Sequence, residues 1–471
     1  MTETPTPTMR RLDRARDGRP AAPIRIAHLG PGNFFRAHQA WYTEHAPDAA
    51  DWGIAAFAGR RGAVARELAA QDGLYTLLVR AADGDRAEAV SAISTVSAEL
   101  DDWRRCFARP ELALVTTTVT EAGYRRAADG GLDRADPEVE ADIAALRAHG
   151  TDADVVTAPG KLALGLAVRR AHDLPGVAVV PCDNVPDNGA MVARVVGELA
   201  AAADPGLAAW IADHVTFVTT MVDRITPHTT DDDREAVRER AGVDDPVPVV
   251  TEPYVEWVLS GEFRHGRPQW DAVGARFVDD VVPWEHRKLW LLNGSHSLMA
   301  YAATIRGHET VEQAISDPVV RGWVEQWWDD AARHLPLPAG EIAAYRAALL
   351  DRYANPRIRH LLRQIAADGS QKVPIRILPT VRADLAEGRV PTGAARVLAA
   401  WVCHLRGLGA PVADVAADEF TALAAGDLDD AVGRVLGRVG ADDGRLTAAV
   451  TALARELAAT TGATPGNRLP T

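Results

Sequence analysis

Lysine is nearly absent from this chain of 471 residues. Of the 51 basic residues only three are lysines, Lys161, Lys288 and Lys372, and the others are arginines. A partly buried lysine can be tuned to act as a base near neutral pH, whereas arginine stays protonated. Each lysine is therefore either a candidate for a chemical role that arginine cannot fill or a chance survivor on the surface.

Cysteine, positive charge and long apolar runs are scarce as well. The three cysteines, Cys106, Cys182 and Cys403, lie far apart, which argues against a disulfide framework and a cysteine-based zinc site. We therefore expect no metal, and a reducing compartment such as the cytoplasm. The net charge of −14 argues against nucleic-acid binding, although one basic pocket would still admit a small anionic substrate. No apolar run approaches the ~20 residues that a membrane span requires.

The pattern of apolar residues divides the chain into a tail and two domains. Residues 1–23 are rich in Thr, Pro and Arg and lack the apolar core of a secretory signal, so we expect a disordered tail. From 24 to 280, short apolar runs alternate with helical stretches, which is typical of a doubly wound α/β sheet. The predicted strands are Ile24–Leu29, Gly53–Ala58, Leu112–Thr117, Val177–Pro181 and Val215–Thr219. From 281 to 471 helical patterns dominate, and we expect a mostly helical second domain.

A glycine-rich turn follows the first predicted strand. The sequence His28-Leu-Gly-Pro-Gly-Asn-Phe-Phe35 leads from this strand into a helix, where dinucleotide-binding folds place their first turn. Gly30 would permit the tight turn, and Gly32 the close approach of a pyrophosphate. Phe35 replaces the usual third glycine, so an ordinary strand-to-helix turn is the alternative. We predict an NAD-binding segment formed by Ile26, Gly30, Gly32, Asn33, Phe34, Phe35 and Arg36.

The end of the second predicted strand bears on the choice of cofactor. A carboxylate after this strand normally binds the adenine ribose of NAD. Here the strand runs into Gly59-Arg60-Arg61, and the next acid is Glu67. Either Arg60 and Arg61 face solvent or they accommodate a 2′-phosphate, so NADP remains an alternative to NAD.

One face of the helix predicted around residue 290 would carry four polar groups. At about 100° per residue they fall within an arc of roughly 140°. They are Glu285, Lys288, Asn293 and His296. A buried helix seldom carries four polar groups on one side, because each costs free energy when unpaired. The face is therefore either a semi-exposed surface that meets another domain or part of an active site.

These groups suit hydride transfer from a secondary alcohol, which needs a base for the hydroxyl proton and donors for the alkoxide oxygen. Lys288 would be the base and Asn293 a donor, with His296 orienting the substrate. Glu285 would relay the released proton to water. A zinc alcohol dehydrogenase would need a Cys and His ligand pattern that the sequence lacks. A short-chain dehydrogenase would need Tyr four residues before Lys, and no lysine here has one.

Five sequence blocks follow one another between about residues 24 and 400. Two are the glycine-rich turn and the run from Lys288 to His296. The others are Cys182-Asp-Asn-Val-Pro-Asp-Asn-Gly189, Met221-Val-Asp-Arg-Ile-Thr-Pro227 and Asp368-Gly-Ser-Gln-Lys-Val-Pro374. In order and spacing they resemble the mannitol dehydrogenase family of long-chain, metal-independent polyol dehydrogenases. The resemblance implies a Rossmann-type N-terminal domain, a mostly helical C-terminal domain and an active site between them. It also favours a monomer that binds a small-molecule substrate.

The resemblance further implies roles for individual residues. Lys288 would be the general base, with Asn184 and Asn293 stabilising the alkoxide. Asp223 and His296 would position the substrate hydroxyls. Asn184 and Asp223 each follow a predicted strand, and open α/β sheets bind ligands at the carboxyl ends of their strands.

The substrate is less well defined than the reaction. The block around Lys372 and the stretch Phe263–Val278 look closer to fructuronate reductases, which favours D-mannonate and D-fructuronate. Mannitol 2-dehydrogenase or D-arabinitol dehydrogenase activity is the alternative, and a sugar-phosphate dehydrogenase is a third. A non-catalytic dinucleotide-binding sensor is the alternative from another class, but Lys288 would then be free to drift to arginine. Lys372 would bind a substrate hydroxyl or carboxylate, or would anchor a loop, and Lys161 receives no role.

Overall fold

The computed structural model describes residues 9–59 and 62–460. The chain divides into two compact units, Met1–Val282 and Pro283–Thr471. No helix in the described part of the chain is long and apolar enough to cross a membrane.

The described strands belong to the first unit. They are β1 (Ile24–Leu29), β2 (Gly53–Phe57), β3 (Tyr75–Ala81), β4 (Gly84–Val90), β5 (Ile93–Ser97), β6 (Leu114–Thr117), β7 (Ala178–Pro181), β8 (Thr216–Phe217), β9 (Thr219–Asp223), β10 (Val249–Thr251), β11 (Glu256–Ser260) and β12 (Arg276–Phe277). The helices of this unit are α1 (Arg14–Asp17), α2 (Asn33–Ala37), α3 (Gln39–His45), α4 (Ala63–Ala69), α5 (Leu100–Phe107), α6 (Pro137–His149), α7 (Ala158–Ala171), α8 (Asn188–Ala203), α9 (Pro205–His214) and α10 (Asp231–Ala241).

A six-stranded parallel sheet forms the centre of the first unit, in the order β5-β2-β1-β6-β7-β8. Numbered along the chain, these strands lie in the order 3-2-1-4-5-6, which is the doubly wound arrangement of dinucleotide-binding folds. Two three-stranded sheets flank it, in the orders β10-β3-β4 and β12-β11-β9. The predicted fold class is confirmed. The run predicted as one strand, Val215–Thr219, instead supplies β8 of the large sheet and the first residue of β9 in a small one.

The large sheet is buried on both faces, as its apolar strands require. Helices α5 to α9 cover one face, and their side chains form one hydrophobic cluster with the strands. Helices α2 and α3 and the two small sheets contribute to a second cluster on the other face. This double coverage leaves the carboxyl edge of the parallel strands as the place where loops meet.

The prediction of a disordered tail is wrong for residues 9–23. Leu12 is buried in a cluster with Leu74 and Val250. The guanidinium group of Arg14 donates hydrogen bonds to the carbonyl oxygens of Asp72 (2.6 Å) and Ile93 (2.6 Å). The composition of the segment suggests disorder, but these partners lie between 58 and more than 200 residues away and no local pattern reveals them.

In the described part of the second unit the regular secondary structure is helical, apart from an isolated β-bridge between Thr310 and Leu361. Its α-helices are α11 (Val282–Arg287), α12 (Ser295–Leu298), α13 (Val311–Ser316), α14 (Pro318–Ala332), α15 (Ala339–Tyr353), α16 (Leu362–Ile365), α17 (Gly369–Arg376), α18 (Leu378–Ala386), α19 (Thr392–Leu405), α20 (Ala417–Leu423), α21 (Leu428–Arg438) and α22 (Gly444–Thr460). Two π-helices, Lys288–Gly294 and Met299–Ala303, lie on either side of α12. Helix α19 is buried from Gly393 to Leu405 and packs against α14 and α22.

Candidate active site

The turn after β1 requires glycine at position 30. Gly30 has a φ of +101°, and a Cβ atom there would lie 2.3 Å from the carbonyl oxygen of Thr118. Gly32, which precedes α2, has an ordinary φ of −72°, and a Cβ atom there would meet nothing nearer than 3.9 Å. The fold of the protein therefore requires glycine at position 30 but not at position 32.

A stacked pair of rings explains why the third glycine of the usual fingerprint is missing. Phe35 on α2 stacks on His28 of β1, with 3.4 Å between ring centroids, and both are buried. The His28 ring also makes hydrogen-bond contacts with Thr116 Oγ1 (2.8 Å) and the Gly30 carbonyl oxygen (2.9 Å). Burial lowers the pKa of His28 to about 3, so the ring is neutral. An aromatic contact thus fixes the helix against the strand where glycine usually allows close packing.

The other residues of the predicted NAD-binding segment differ in exposure. Ile26 is buried in the core of the first unit. Arg36 is also buried, and its guanidinium group donates hydrogen bonds to Asn33 Oδ1 (2.7 Å) and to the carbonyl oxygen of Val247. Asn33 and Phe34 are half-buried. The side chains of Ile26, Phe35 and Arg36 therefore support the turn from within the core.

A cleft of about 320 Å³ lies at the carboxyl ends of β1, β2 and β6. Leu29, Gly59 and Thr118 line it at the strand ends, and residues of the first turn of α7 line it as well. The strand order of the large sheet reverses between β1 and β6. Doubly wound folds bind dinucleotides at the carboxyl ends of the strands at such a reversal. The obligatory glycine turn and the cleft beside it fit a dinucleotide cofactor.

Arg60 and Arg61, which the sequence analysis connects with the choice of cofactor, lie outside the described residues. The first acid after β2, Glu67, forms an exposed ion pair with Arg11 at 3.1 Å. In the described part of the chain, no group of three or more His, Cys, Asp or Glu side chains is arranged to hold a metal ion.

Asn184 lies in the loop between β7 and α8, and its neighbour Asp183 anchors one end of that loop. The buried Asp183 carboxylate accepts hydrogen bonds from the Val119 backbone N–H, the Thr117 hydroxyl (3.1 Å) and the Tyr124 hydroxyl. Burial raises the pKa of Asp183 to about 6, although these three donors favour its ionised form.

Asn188 anchors the other end of the same loop. Its side-chain amide donates to the carbonyl oxygens of Asp183 (3.0 Å) and Thr220 (3.0 Å), and it accepts from the Thr220 backbone N–H (2.9 Å). The exposed Asn184 is thus carried by a loop that is tied to the segments following β6 and β8. Asp223, the second predicted residue on this unit, is buried at the end of β9 and stands opposite Glu256 of β11.

The four polar residues predicted for the second unit lie on a helical segment, 282–303, that alternates between α-helix and π-helix. Glu285 is in α11, Lys288 begins the first π-helix, Asn293 lies within it, and His296 is in α12. The assumption of a regular α-helix is wrong for 288–294, because a π-helix closes its hydrogen bonds over five residues rather than four. The predicted arc of roughly 140° at 100° per residue therefore does not describe this segment. Glu285, Lys288 and Asn293 are half-buried, and His296 is buried.

Side chains from other helices bind the backbone carbonyls of this first π-helix. The indole nitrogens of Trp327 and Trp328 donate to the carbonyl oxygens of Trp290 (2.8 Å) and Leu291 (2.9 Å). The Arg376 guanidinium group donates to the carbonyl oxygen of Asn293 at 3.3 Å. These external donors satisfy carbonyls whose bonding differs from that of an α-helix, and they give the widened turn a physical cause.

His296 is buried among rings and positive charges. Its ring lies 5.1 Å from that of Tyr353 and 5.0 Å from that of His360, measured between centroids. Its Nε2 atom is buried and has no hydrogen-bond partner among the described residues. Burial first, and then the charges of His360, Arg376 and Arg352, hold the pKa of His296 well below its usual value, so the ring is neutral.

Lys372 lies in α17, four residues before Arg376. Its Nζ donates hydrogen bonds to the carbonyl oxygens of Ile365 (3.2 Å) and Ala367 (2.6 Å). Burial and the nearby Arg376 charge lower the pKa of Lys372. These bonds fit the loop-anchoring alternative, and a substrate contact for Lys372 stays a prediction.

Family models match nearly the whole chain. The mannitol dehydrogenase Rossmann domain matches residues 24–272, and the mannitol dehydrogenase C-terminal domain matches residues 280–441. The chain belongs to the mannitol dehydrogenase family. It is 38% identical to the D-mannonate oxidoreductase of Escherichia coli (strain K12) over 400 residues, which cover 82% of this chain and 80% of the relative.

Two solved structures of polyol dehydrogenases superpose on this member of the mannitol dehydrogenase family. Substrate-free D-sorbitol dehydrogenase has a TM-score of 0.87 at 28% identity, covering 95% of this chain and 96% of the other. The ternary complex of Pseudomonas fluorescens mannitol 2-dehydrogenase with NAD and D-mannitol has a TM-score of 0.76 at 32% identity, covering 94% of both chains. The resemblance inferred from the five sequence blocks is confirmed.

Three residues that support the site of this mannitol dehydrogenase family member were not predicted from the sequence. They are Asp183, Asn188 and Arg376. Asp183 and Asn188 stand in the block that contains Asn184, so their position in the sequence was a signal. Their hydrogen bonds to residues after β6 and β8 are visible only in the fold. Arg376 follows the Lys372 block by only two residues and gave no signal, because arginine is common everywhere in the chain.

Proposed function

We propose that the protein is an NAD-dependent, metal-independent dehydrogenase that interconverts D-mannonate and D-fructuronate. The observation that carries this proposal is the position of Lys288, one of three lysines in the chain, at the first residue of a π-helix that also holds Asn293. π-helical turns occur frequently at functional sites. The similarity to a D-mannonate oxidoreductase, at 38% identity, supports the substrate pair.

The cofactor would bind at the glycine turn and the adjoining cleft of the first unit. Gly30 and Gly32 would let the backbone approach the pyrophosphate, with Asn33 and Phe34 beside it. When bound, the nicotinamide ring accepts a hydride from the substrate carbon or returns it. The superposed mannitol 2-dehydrogenase complex contains NAD, which supports this choice of cofactor.

Proton transfer would belong to the second unit. Lys288, with its Nζ uncharged, takes the proton of the reacting hydroxyl, and Glu285 passes that proton on to water. The side-chain amides of Asn184 and Asn293 donate hydrogen bonds to the oxygen as negative charge develops on it. In the reverse direction the ammonium group of Lys288 returns the proton to the same oxygen.

Substrate recognition would use Asp223, His296 and Lys372. The buried Nε2 of His296, which lacks a partner among the described residues, is a group that a substrate hydroxyl could satisfy. The positive charges of Arg352 and Arg376 act on the same ring. They favour a sugar acid, whose carboxylate they would attract, over an uncharged polyol.

The test of the base is Lys288→Ala. We expect turnover to fall by about 10²–10⁴-fold at neutral pH, which is the usual contribution of general acid–base catalysis, while NAD binding is retained. In the wild type, oxidation should accelerate as pH rises, since Lys288 must be uncharged to accept a proton. Turnover of Lys288→Ala within a few-fold of wild type would contradict the assignment.

The test of the substrate is a panel of mannonate, altronate, mannitol and arabinitol with NAD. We expect the highest kcat/KM for mannonate. A preference for mannitol would instead assign the activity of the mannitol 2-dehydrogenase type. Activity confined to phosphorylated sugars would replace both proposals.

We further propose that the protein acts as a monomer in the cytoplasm. All three cysteines are free and buried, which suits a reducing compartment. Sedimentation equilibrium of the full chain would measure the oligomeric state, and a stable dimer would contradict the first part.

A further inference from the structure

A second cavity of the first unit, of about 340 Å³, lies at the amino ends of the parallel strands. It is lined by Arg25 near the start of β1, by residues 110–113 before β6 and by Pro175 before β7. The cleft beside the glycine turn lies at the opposite, carboxyl edge of the same sheet, and the described linings of the two share no residue. This amino-edge cavity is therefore separate from the proposed cofactor site.

Arg169 of α7 brings a buried positive charge to the amino-edge cavity. Its guanidinium group donates hydrogen bonds to the carbonyl oxygens of Pro175 (2.6 Å), Phe107 (3.1 Å) and Arg109 (3.0 Å). Its Nη2 group is buried and has no hydrogen-bond partner among the described residues. Burial lowers the pKa of Arg169 to about 10, so the group is still charged at neutral pH. Three carbonyl oxygens satisfy donors but supply no negative charge, whereas buried charges are normally paired with an opposite charge.

Arg25 brings a second positive charge to the same cavity. Its guanidinium carbon lies 3.8 Å from the centroid of the Trp52 ring, and its Nη2 lies 3.5 Å from the carbonyl oxygen of His265. Contact with an aromatic face orients a guanidinium group without neutralising it. Within the described part of the chain, neither Arg25 nor Arg169 forms an ion pair with an acid.

The balance of charge in the described lining is positive. Its single acid, Glu111, is exposed and is not ion-paired with either arginine. His265 reports the local potential, because its burial and then the charges of Arg169 and Arg264 lower the pKa of its ring. In a chain with a net charge of −14, this cavity is thus a place where an anion is electrostatically favoured.

We propose that the amino-edge cavity binds a small oxyanion, the carboxylate or phosphate group of a metabolite, between Arg25 and Arg169. The planar fork of a guanidinium group matches both of these oxyanions. The volume of the cavity falls at the lower end of the range for small-molecule sites, roughly 300–1,000 Å³. The inference goes beyond the proposed dehydrogenase function and does not depend on it, because no residue of the proposed reaction lines this cavity.

Titration of the full chain with inorganic phosphate tests the proposal. Isothermal titration calorimetry near neutral pH, with chloride replacing phosphate at constant ionic strength, should show one phosphate bound per chain. Arg25→Gln should weaken binding by about 10-fold or more, since hydrogen bonds to a charged group contribute about that much. Glu111→Gln should instead strengthen binding, because the described lining loses its negative charge. A merely structural role of these residues would not move the affinity in opposite directions.

One variant controls for general charge effects and one measurement controls for folding. Arg170→Gln removes the exposed neighbour of Arg169, which is ion-paired with Asp204 and does not line the cavity, so phosphate affinity should stay at the wild-type value. Melting curves without phosphate show whether Arg25→Gln is folded. Because Glu111 is exposed, Glu111→Gln keeps the test decisive even if Arg25→Gln does not fold.

Two readouts locate the bound phosphate. Saturating NAD would displace phosphate from the glycine turn but not from the amino-edge cavity, so phosphate binding should persist. The ring pKa of His265, followed by NMR with His265→Asn for assignment, should rise when phosphate is present, since a bound anion offsets the charges of Arg169 and Arg264. Acetate in place of phosphate shows which of the two oxyanions the cavity prefers.

The outcomes separate this proposal from the dehydrogenase function. Binding of neither phosphate nor acetate overturns it, as does a wild-type phosphate affinity in both Arg25→Gln and Glu111→Gln. Phosphate binding that saturating NAD abolishes assigns the anion to the glycine turn, and this proposal is then wrong. If NAD itself does not bind, the proposed cofactor function fails, whereas the affinities of the Arg25 and Glu111 variants still decide the case of the amino-edge cavity.

Discussion

The loop that carries Asn184 and the helix that carries His296 are built in opposite ways. Around Asn184 the polar groups satisfy one another, since the Asp183 carboxylate has three donors and the Asn188 amide bonds to segments on both sides. Around His296, buried nitrogens lack hydrogen-bond partners among the described residues. They are His296 Nε2, His360 Nδ1 and Arg376 Nε.

The contrast indicates that the loop positions a side chain, whereas the helix binds the substrate. A buried polar atom without a partner costs about 1–3 kcal/mol, and native structures keep few of them. The loop around Asn184 is complete without a ligand and so presents its amide in a fixed place. The helix around His296 retains unmet hydrogen-bonding capacity, which a polar substrate would satisfy. We therefore expect substitutions in the first region to act through stability and those in the second through substrate affinity.

The largest effect should come from Gly30→Ala, which tests how rigid the sheet edge is. The added Cβ atom would lie 2.3 Å from a backbone oxygen at a φ of +101°, so neither partner can adapt cheaply. We expect the free energy of unfolding to fall by roughly 3–5 kcal/mol, measured by chemical denaturation.

Gly32→Ala is the matched control for this change. A Cβ atom at Gly32 has ordinary space, so the variant should keep its stability and lose dinucleotide affinity, because only the cofactor approaches that position. Equal losses of stability in both variants would mean that the two glycines serve the fold alike.

The elements that could be predicted from the sequence are those that depend on neighbouring residues. Strands β1 and β2 lie where the apolar pattern puts them, since their burial follows local sequence. The first π-helix depends instead on donors such as Trp327 and Trp328, which stand 37 residues beyond the carbonyls they bind. The cleft likewise joins Gly30 to Lys161, and no spacing rule links such distant positions.

A second effect, of intermediate size, should come from the titration of Asp183. Burial raises its pKa well above the ordinary value, to about 6, so the folded state favours the protonated carboxyl. The resulting stability is present below the unfolded pKa and is lost as pH rises through 6. From pH 4 to 7 the wild type should therefore lose roughly 2 kcal/mol relative to Asp183→Asn, which does not titrate. Denaturation curves of both proteins at several pH values measure this difference, and parallel pH profiles would show that Asp183 titrates normally.

This cost at neutral pH sharpens the contrast between the two regions. An ionised Asp183 accepts three hydrogen bonds, whereas a protonated one would turn an acceptor into a donor facing the Tyr124 hydroxyl. The ionised state of Asp183 therefore holds the loop best, although the folded protein is less stable in that state than with Asp183 protonated. That balance is expected where the position of a side chain such as Asn184 matters more than the stability of the fold.

The smallest effect should come from His296→Ala, which tests the unsatisfied region directly. Loss of one hydrogen bond to a substrate hydroxyl should lower kcat/KM for mannonate about 10-fold, with NAD affinity unchanged. Because the pKa of His296 lies well below its usual value, the ring is neutral in the wild type and the shape of the pH–rate profile should stay the same.

His404 provides the matched control, because it is a second buried histidine of the second unit with a ring nitrogen that lacks a partner among the described residues. It lies on α19 beside Tyr301, and the proposed reaction gives it no part. His404→Ala should lower the melting temperature and leave kcat/KM near the wild-type value. If both variants lower kcat/KM alike, the missing partner of His296 reflects packing, and the substrate must be recognised by other groups.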